Sequence, residues 1–376
     1  MFQNTKRKTK FVFLLKLILV KAAASFIAIF FYGPLLGGLG DSSRYLSAPF
    51  KPTLVNFTNR TYFADAVFGF LRIFLDQIQT HLFISLLNGF FIWFIFRKSY
   101  PFLNKICFWI AFLLPHFLIW TSSVGKEALV IPGFLLLIKL NVDIVLKTKI
   151  NYFQVLLSLW ITYLVRPNYL ISYIFLTAST LLIYKTNIFY KLKAKLIANF
   201  LLLIYIGTFM VLALFLTYGL WEDKILEIMR FSEWQFFSYD ARTNRLDLDW
   251  ESTFDFFKHF WWGIPASIIG PTLSEAIQHP LLFPALIEGT FAFTLLFYTI
   301  LKLTTFSKNN QKIKQLVVFG FIPAVIIGLL SHYPLGILNP GSALRYKQSL
   351  APLFYFYPLL LMARIKQVKE QARSHS

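Results

Sequence analysis

Acidic residues are scarce in this chain: 17 Asp and Glu stand against 37 Lys and Arg in 376 residues. Charged residues of both signs make up only 14%, well below the quarter usual in soluble domains. One cysteine, Cys107, excludes an intrachain disulfide, and its apolar neighbours mark it as a packing residue. No HExxH, GxSxG or P-loop pattern occurs, and the six histidines are scattered without metal-ligand spacing. Neither a metal nor a cofactor is therefore expected. An Asp-x-Asp pair, Asp247-Leu248-Asp249, reads as a solvated acidic turn. Asn56-Phe57-Thr58 and Asn59-Arg60-Thr61 match glycosylation acceptors, a pattern frequent by chance.

What is abundant is hydrocarbon. Hydrophobic residues reach 57% and recur in long runs from end to end. The expected class is all-α: a polytopic membrane bundle of about ten helices forming a single domain over 1–376, with interfacial helices in its outward loops. The spans are expected near 17–39, 82–96, 106–121, 128–146, 151–165, 169–184, 196–220, 281–301, 314–331 and 350–364. The basic start followed by apolar residues imitates a signal peptide, but the apolar run continues too far, so it reads as an uncleaved first helix.

The charges alternate from loop to loop. Cations cluster at 6–10, 97–105, 147–149, 185–195, 302–314 and 364–373, whereas of the 17 carboxylates only Asp143 and Glu370 fall on that basic side of the chain. By the positive-inside rule this predicts a multi-pass protein with both termini in the cytoplasm. The net charge of +20 is thus an orientation signal; no nucleic-acid motif accompanies it. Two outward loops have substance. The first, 40–80, carries Arg72, Asp76 and Gln77 among aromatics, as an interfacial helix does. The second, 221–280, holds Trp221, Trp234, Trp250, Trp261 and Trp262 among acids, and 262–271 is expected to dip into the membrane.

Five places combine charge with hydrocarbon. Residues 22–40 contain no charge, roughly 28 Å of helix, so Asp41 and Arg44 emerge at the membrane surface. Asp41 fits either a capping acid in a turn or a general base. Lys126-Glu127 lies in an outward turn of a few residues, where Glu127 suits a helix start and Lys126 gains nothing from the dipole. Arg166 separates two apolar runs, either as a snorkelling end or as a site residue. Arg345 and Lys347 follow a turn rich in Pro and Gly and fit either headgroup attraction or a site. Glu288 lies inside an apolar run and needs a cationic partner. Converging on one face, these groups suit a lipid carrier bearing phosphate, because arginines grip phosphate bidentately.

In order, the motifs are an acid with Arg-Tyr after the first helix, then Pro-His-x-x-x-Trp-x-Ser-x-x-x-Lys-Glu, Arg-Pro, a Pro…Glu segment, and Asn-x-Gly-x-x-x-Arg-Tyr. This order resembles the polytopic glycosyltransferases of the GT-C type and the O-antigen polymerases of bacterial surface-polysaccharide clusters, over about 40–352. The resemblance implies a sugar donor on polyprenyl phosphate or diphosphate, a glycan or lipid-linked acceptor, and chemistry on the outer face of the bacterial inner membrane. It implies a catalytic acid at Asp41, where Ser42 stands in place of the second acid many members carry. It implies diphosphate-holding arginines at Arg166 and Arg345, with Arg242 or Arg245 as further candidates. Asp41 and Glu127 are then the candidate catalytic carboxylates. Arg44, Lys126, Arg166, Arg345 and Lys347 are the phosphate-binding cations, and Glu288 orients them. The alternatives are a transporter that flips lipid-linked sugars and a non-catalytic assembly component.

Overall fold

The computed structural model describes residues 2–36, 38–51, 53, 55, 58–185, 222–223, 225–231, 245, 252–308 and 310–374. The expected span at 196–220 lies outside these residues. So do Trp221, Trp234, Trp250, Arg242, the Asp247-Leu248-Asp249 turn and His375.

The chain is all-helical, with no strand among the described residues. Among the described residues, five helices are long and apolar enough to cross a membrane: Lys8–Leu35, Gln77–Phe96, Lys126–Val145, Pro280–Ser307 and Gln311–Leu338. They coincide with five of the expected spans. The segment expected at 106–121 forms two short helices, Lys105–Leu113 and Pro115–Trp120. Pro115 breaks it, because proline offers no N–H and drives the residue before it out of the helical region. Leu114 accordingly sits at φ −51, ψ 119. Helices Tyr152–Val165 and Pro167–Lys185 are likewise separated at a proline, and Tyr357–Arg373 closes the chain.

Lys126–Val145 is the hub. Of its most apolar 18-residue stretch 83% is buried, against 33–50% for the same stretch of the other four long helices. It packs on Gln77–Phe96, Tyr152–Val165 and Pro167–Lys185. Phe134 of this hub stacks on Tyr173 with ring centres 4.3 Å apart. The first helix runs antiparallel to the second: its start meets Trp93, whose indole donates to the Lys10 carbonyl at 3.1 Å. Halfway along, fully buried Lys21 donates to Thr121 and to Ser122 Oγ at 3.2 Å. Its ammonium also lies over the Phe112 and Phe117 rings. A lysine inside apolar helices must find such partners.

In the first loop, Arg60–Phe74 is a helix capped by Asn59, whose side chain accepts from Thr61 N at 2.9 Å. Asp76 and Gln79 then form a capping box that opens the second long helix. In the second loop, helix Phe260–Ile269 wedges between the helices bearing Gly289 and Gly336. A Cβ at Gly289 would collide with the Ile269 carbonyl, so this close approach requires glycine.

Candidate functional site

Turns at one end of the bundle bring four charged residues into one network. Gly40, at φ +56, makes the turn that follows the first helix, and Ser42 pins it by donating to Leu39 O at 2.7 Å and to Val124 O. Val124 N in turn donates to His81 Nδ1 at 2.9 Å. Asp41 is thereby fixed beside the start of the hub helix, where Glu127 sits fully buried. Arg166 arrives from the break between its two helices. Arg345 comes from Pro340–Tyr346, a short helix capped by Asn339.

The pairing is reciprocal. Glu127 Oε1 accepts from Arg166 Nη2, and its Oε2 accepts from Arg345 Nε at 3.1 Å. Arg345 Nη2 reaches Asp41 Oδ2 at 3.1 Å. The Arg166 guanidinium lies 3.9 Å over the Tyr346 ring, and that of Arg345 lies 5.2 Å from both Trp120 and Tyr346. Aromatic faces thus replace water around two buried cations. Asp41 keeps 43% of its side chain exposed. Burial pushes the Asp41 carboxyl up, but Arg345, with Lys126 and Arg44 behind it, more than offsets this, so its pKa lies below the usual 3.8.

The other expected residues are placed differently. Lys126 adjoins the network and donates to Thr61 Oγ1 at 3.0 Å, tying it to the first loop. Arg44 lies at the surface, 3.3 Å from Asp65 and stacked on Tyr45. Lys347 is buried but turns toward helix Phe260–Ile269, donating to Ile268 O at 2.7 Å. Burial pulls its amine down to about 8, against the upward pull of Glu288. Glu288 itself is bound to His116. Both its oxygens accept from His116 N, at 3.0 and 2.9 Å, and one meets the imidazole Nδ1. A carboxylate from another helix thus caps the helix that Pro115 starts, where backbone donors are otherwise orphaned.

Arg245 was expected only as a further candidate for holding diphosphate, and sequence reasoning did not single out its actual partners or two other arrangements. Arg245 binds Glu275 through Nε at 2.6 Å and Nη2 at 3.0 Å, and also the carbonyls of Gly270, Gly336 and Ile337. Its donors are consumed in fastening the second loop to the bundle. Tyr169 Oη lies 2.7 Å from His332 Nδ1, and His332 Nε2 lies 3.1 Å from Ser267 O. Since a carbonyl only accepts, the imidazole carries its proton on Nε2 and accepts from the tyrosine. Third, Glu227 lines a cavity on the far side of Arg166; its only signal in sequence was its place in the acidic loop.

That cavity has a volume of about 980 Å³, near the upper end for ligand sites. Arg166, Asn168, Tyr169, Tyr346 and Glu227 are among its walls. Tyr163, Ile171, Ile228 and Phe231, all exposed, form an apolar lip. Three buried donors around the network have no hydrogen-bond partner among the described residues: Arg166 Nε, Trp120 Nε1 and the Tyr45 hydroxyl. Native proteins rarely leave such groups unsatisfied away from a ligand or water. Among the described residues, no group of three or more His, Cys, Asp or Glu is placed to hold a metal ion. The geometry defines an α-helical protein with apolar helices of membrane-spanning length and a buried arginine–carboxylate network at one end. Compared with known proteins, the chain matches no family model, no curated sequence and no solved structure.

Proposed function

We propose that the protein is a membrane-embedded glycosyltransferase or repeat-unit polymerase that uses a sugar donor on polyprenyl phosphate or diphosphate. The observation that carries this reading is Arg166. Its Nη2 is committed to Glu127, its Nε has no partner among the described residues, and its guanidinium borders a cavity with an aromatic wall and an apolar lip. A lipid-linked phosphate needs those three things together: a cation at the headgroup, stacking surface for sugar, and a hydrocarbon exit for the carrier chain.

In the proposed reaction the acceptor hydroxyl attacks the anomeric carbon and the bond from that carbon to the phosphate oxygen breaks. Arg166, with Arg345 and Lys126, holds the charge developing on the departing phosphate. The proton passes to Asp41. Its pairing with Arg345 makes it a weak base in the resting state. A phosphate competing for Arg345 loosens that pair and raises the basicity of Asp41 when substrate is present. Glu127, fully buried between two arginines, positions them.

The same reading includes about ten spans, both termini in the cytoplasm and the network on the outer face of the bacterial inner membrane. The decisive experiment measures repeat-unit polymerisation in cells carrying Asp41→Asn or Arg166→Ala. Loss of long chains with normal protein levels is expected. Wild-type chain lengths from well-expressed variants end the assignment.

A further inference from the structure

At the opposite end of the hub helix a second cavity of about 340 Å³ lies between the basic turns. Asp143 there is 16 residues from Glu127, roughly 24 Å along the helix. Five cations line the cavity from separate segments: Arg97 and Lys98 beyond the second long helix, Lys139 and Lys149 on and after the hub, and Arg364 of the last helix. Its single carboxylate among the described residues, Asp143, is occupied by Lys139 and by Thr148 Oγ1 at 2.9 Å. Phe94, Ile95, Val142 and Leu360 supply apolar wall.

Both arginines are held in place with no carboxylate partner among the described residues. Arg97 lies over the Trp93 and Phe94 rings at 4.8 and 5.0 Å, and Arg364 Nη1 donates to Gln367 Oε1 at 2.8 Å. Cations that serve only to orient a membrane protein can spread outward into the headgroups. Here they converge around one hollow, where their mutual repulsion is relieved by an anion. Apolar wall beside fixed guanidinium groups matches the boundary between a headgroup and its acyl chains.

We propose that this hollow binds a phosphate group, carried by the headgroup of an anionic phospholipid. Basic pockets between membrane helices on the positively charged side commonly take such headgroups. The site is independent of the chemistry proposed for the Arg166 cavity, and its test needs no enzymatic activity.

The test uses the full chain purified in detergent, with lipid retention read by native mass spectrometry against phosphatidylglycerol and phosphatidylcholine. Retention of phosphatidylglycerol over phosphatidylcholine is expected. It should weaken at least about tenfold in Arg97→Gln/Arg364→Gln, and also weaken in Lys98→Gln/Lys149→Gln, whose exposed side chains make misfolding no explanation. Lys308→Gln/Lys369→Gln removes two exposed cations outside the hollow and should change nothing. Equal retention of both lipids, or equal loss in this control, overturns the proposal. If inorganic phosphate binds and phosphatidylglycerol does not, the lipid source is overturned. Loss of that phosphate binding in the lining variants supports the phosphate site with a soluble ligand.

Discussion

Arg345 Nη2 lies 3.1 Å from Asp41 Oδ2 although 304 positions separate the two residues in the chain. The same guanidinium holds Glu127 through Nε. One arginine therefore joins the turn after the first helix to the start of the hub helix, and three widely spaced segments become one site.

Glu127→Gln should be the most damaging of the isosteric changes. It removes the only carboxylate among the described residues that contacts both arginines and leaves two buried cations undercompensated. Breaking a buried pair in this way destabilises by about 3–5 kcal/mol. Asp41→Asn, at a carboxylate 43% exposed, should lose less than about 1 kcal/mol. Thermal unfolding in detergent separates the two; equal losses would contradict the burial argument.

Arg166→Lys keeps the charge but not the planar stacking on Tyr346 or the free Nε. Polymerisation in cells should fall by at least about tenfold while the protein still inserts and accumulates, since lysine can still meet Glu127. An active Arg166→Lys variant would reduce the role of this residue to a point charge.

Gly40→Ala tests the turn itself. The added Cβ would collide with Arg345 Nη1, and φ +56 is a conformation that residues with side chains seldom adopt. A loss of about 1–2 kcal/mol is expected in unfolding measurements. Together with Asp41→Asn it should cost less than the two changes summed, because both act on the Asp41–Arg345 pair.

Lys347 gives the protein an alkaline signature. Its native pKa lies near 8, against an ordinary 10.5, because it is buried. Between those values the unfolded chain holds a proton on this amine that the native protein has released. Stability from this group therefore rises with pH from about 8 to 10.5 and is constant on either side. Lys347→Met should abolish that rise in a melting-temperature profile; an unchanged slope would refute the assignment.

Much of the framework was legible before any coordinates. Membrane-length apolar runs are a direct consequence of a solvent that cannot hydrogen-bond, so the five long helices fall where composition put them. Asp41, Glu127, Arg166 and Arg345 stood out because charge beside hydrocarbon is expensive enough to need a reason. Pro167 falls in the gap expected between 151–165 and 169–184, whereas the break at Pro115 went unread inside the single span expected at 106–121, although the same stereochemistry makes it. Less visible was Lys21, which read as the edge of a charge-free stretch and is in fact a buried ammonium satisfied by Thr121 and Ser122.

Sequence by itself determined which segments are helical and apolar, and which residues carry charge at their ends, because both follow from local chemistry. Partnership was decided only in three dimensions. Glu288 could have met any nearby cation; packing set it against the backbone and ring of His116. Lys347 stands two residues from Arg345 yet turns to Ile268, and Arg44 stands three from Asp41 yet faces Asp65. Side chains close in sequence leave a helix in different directions, so which of them share a site depends on how the neighbouring helices pack.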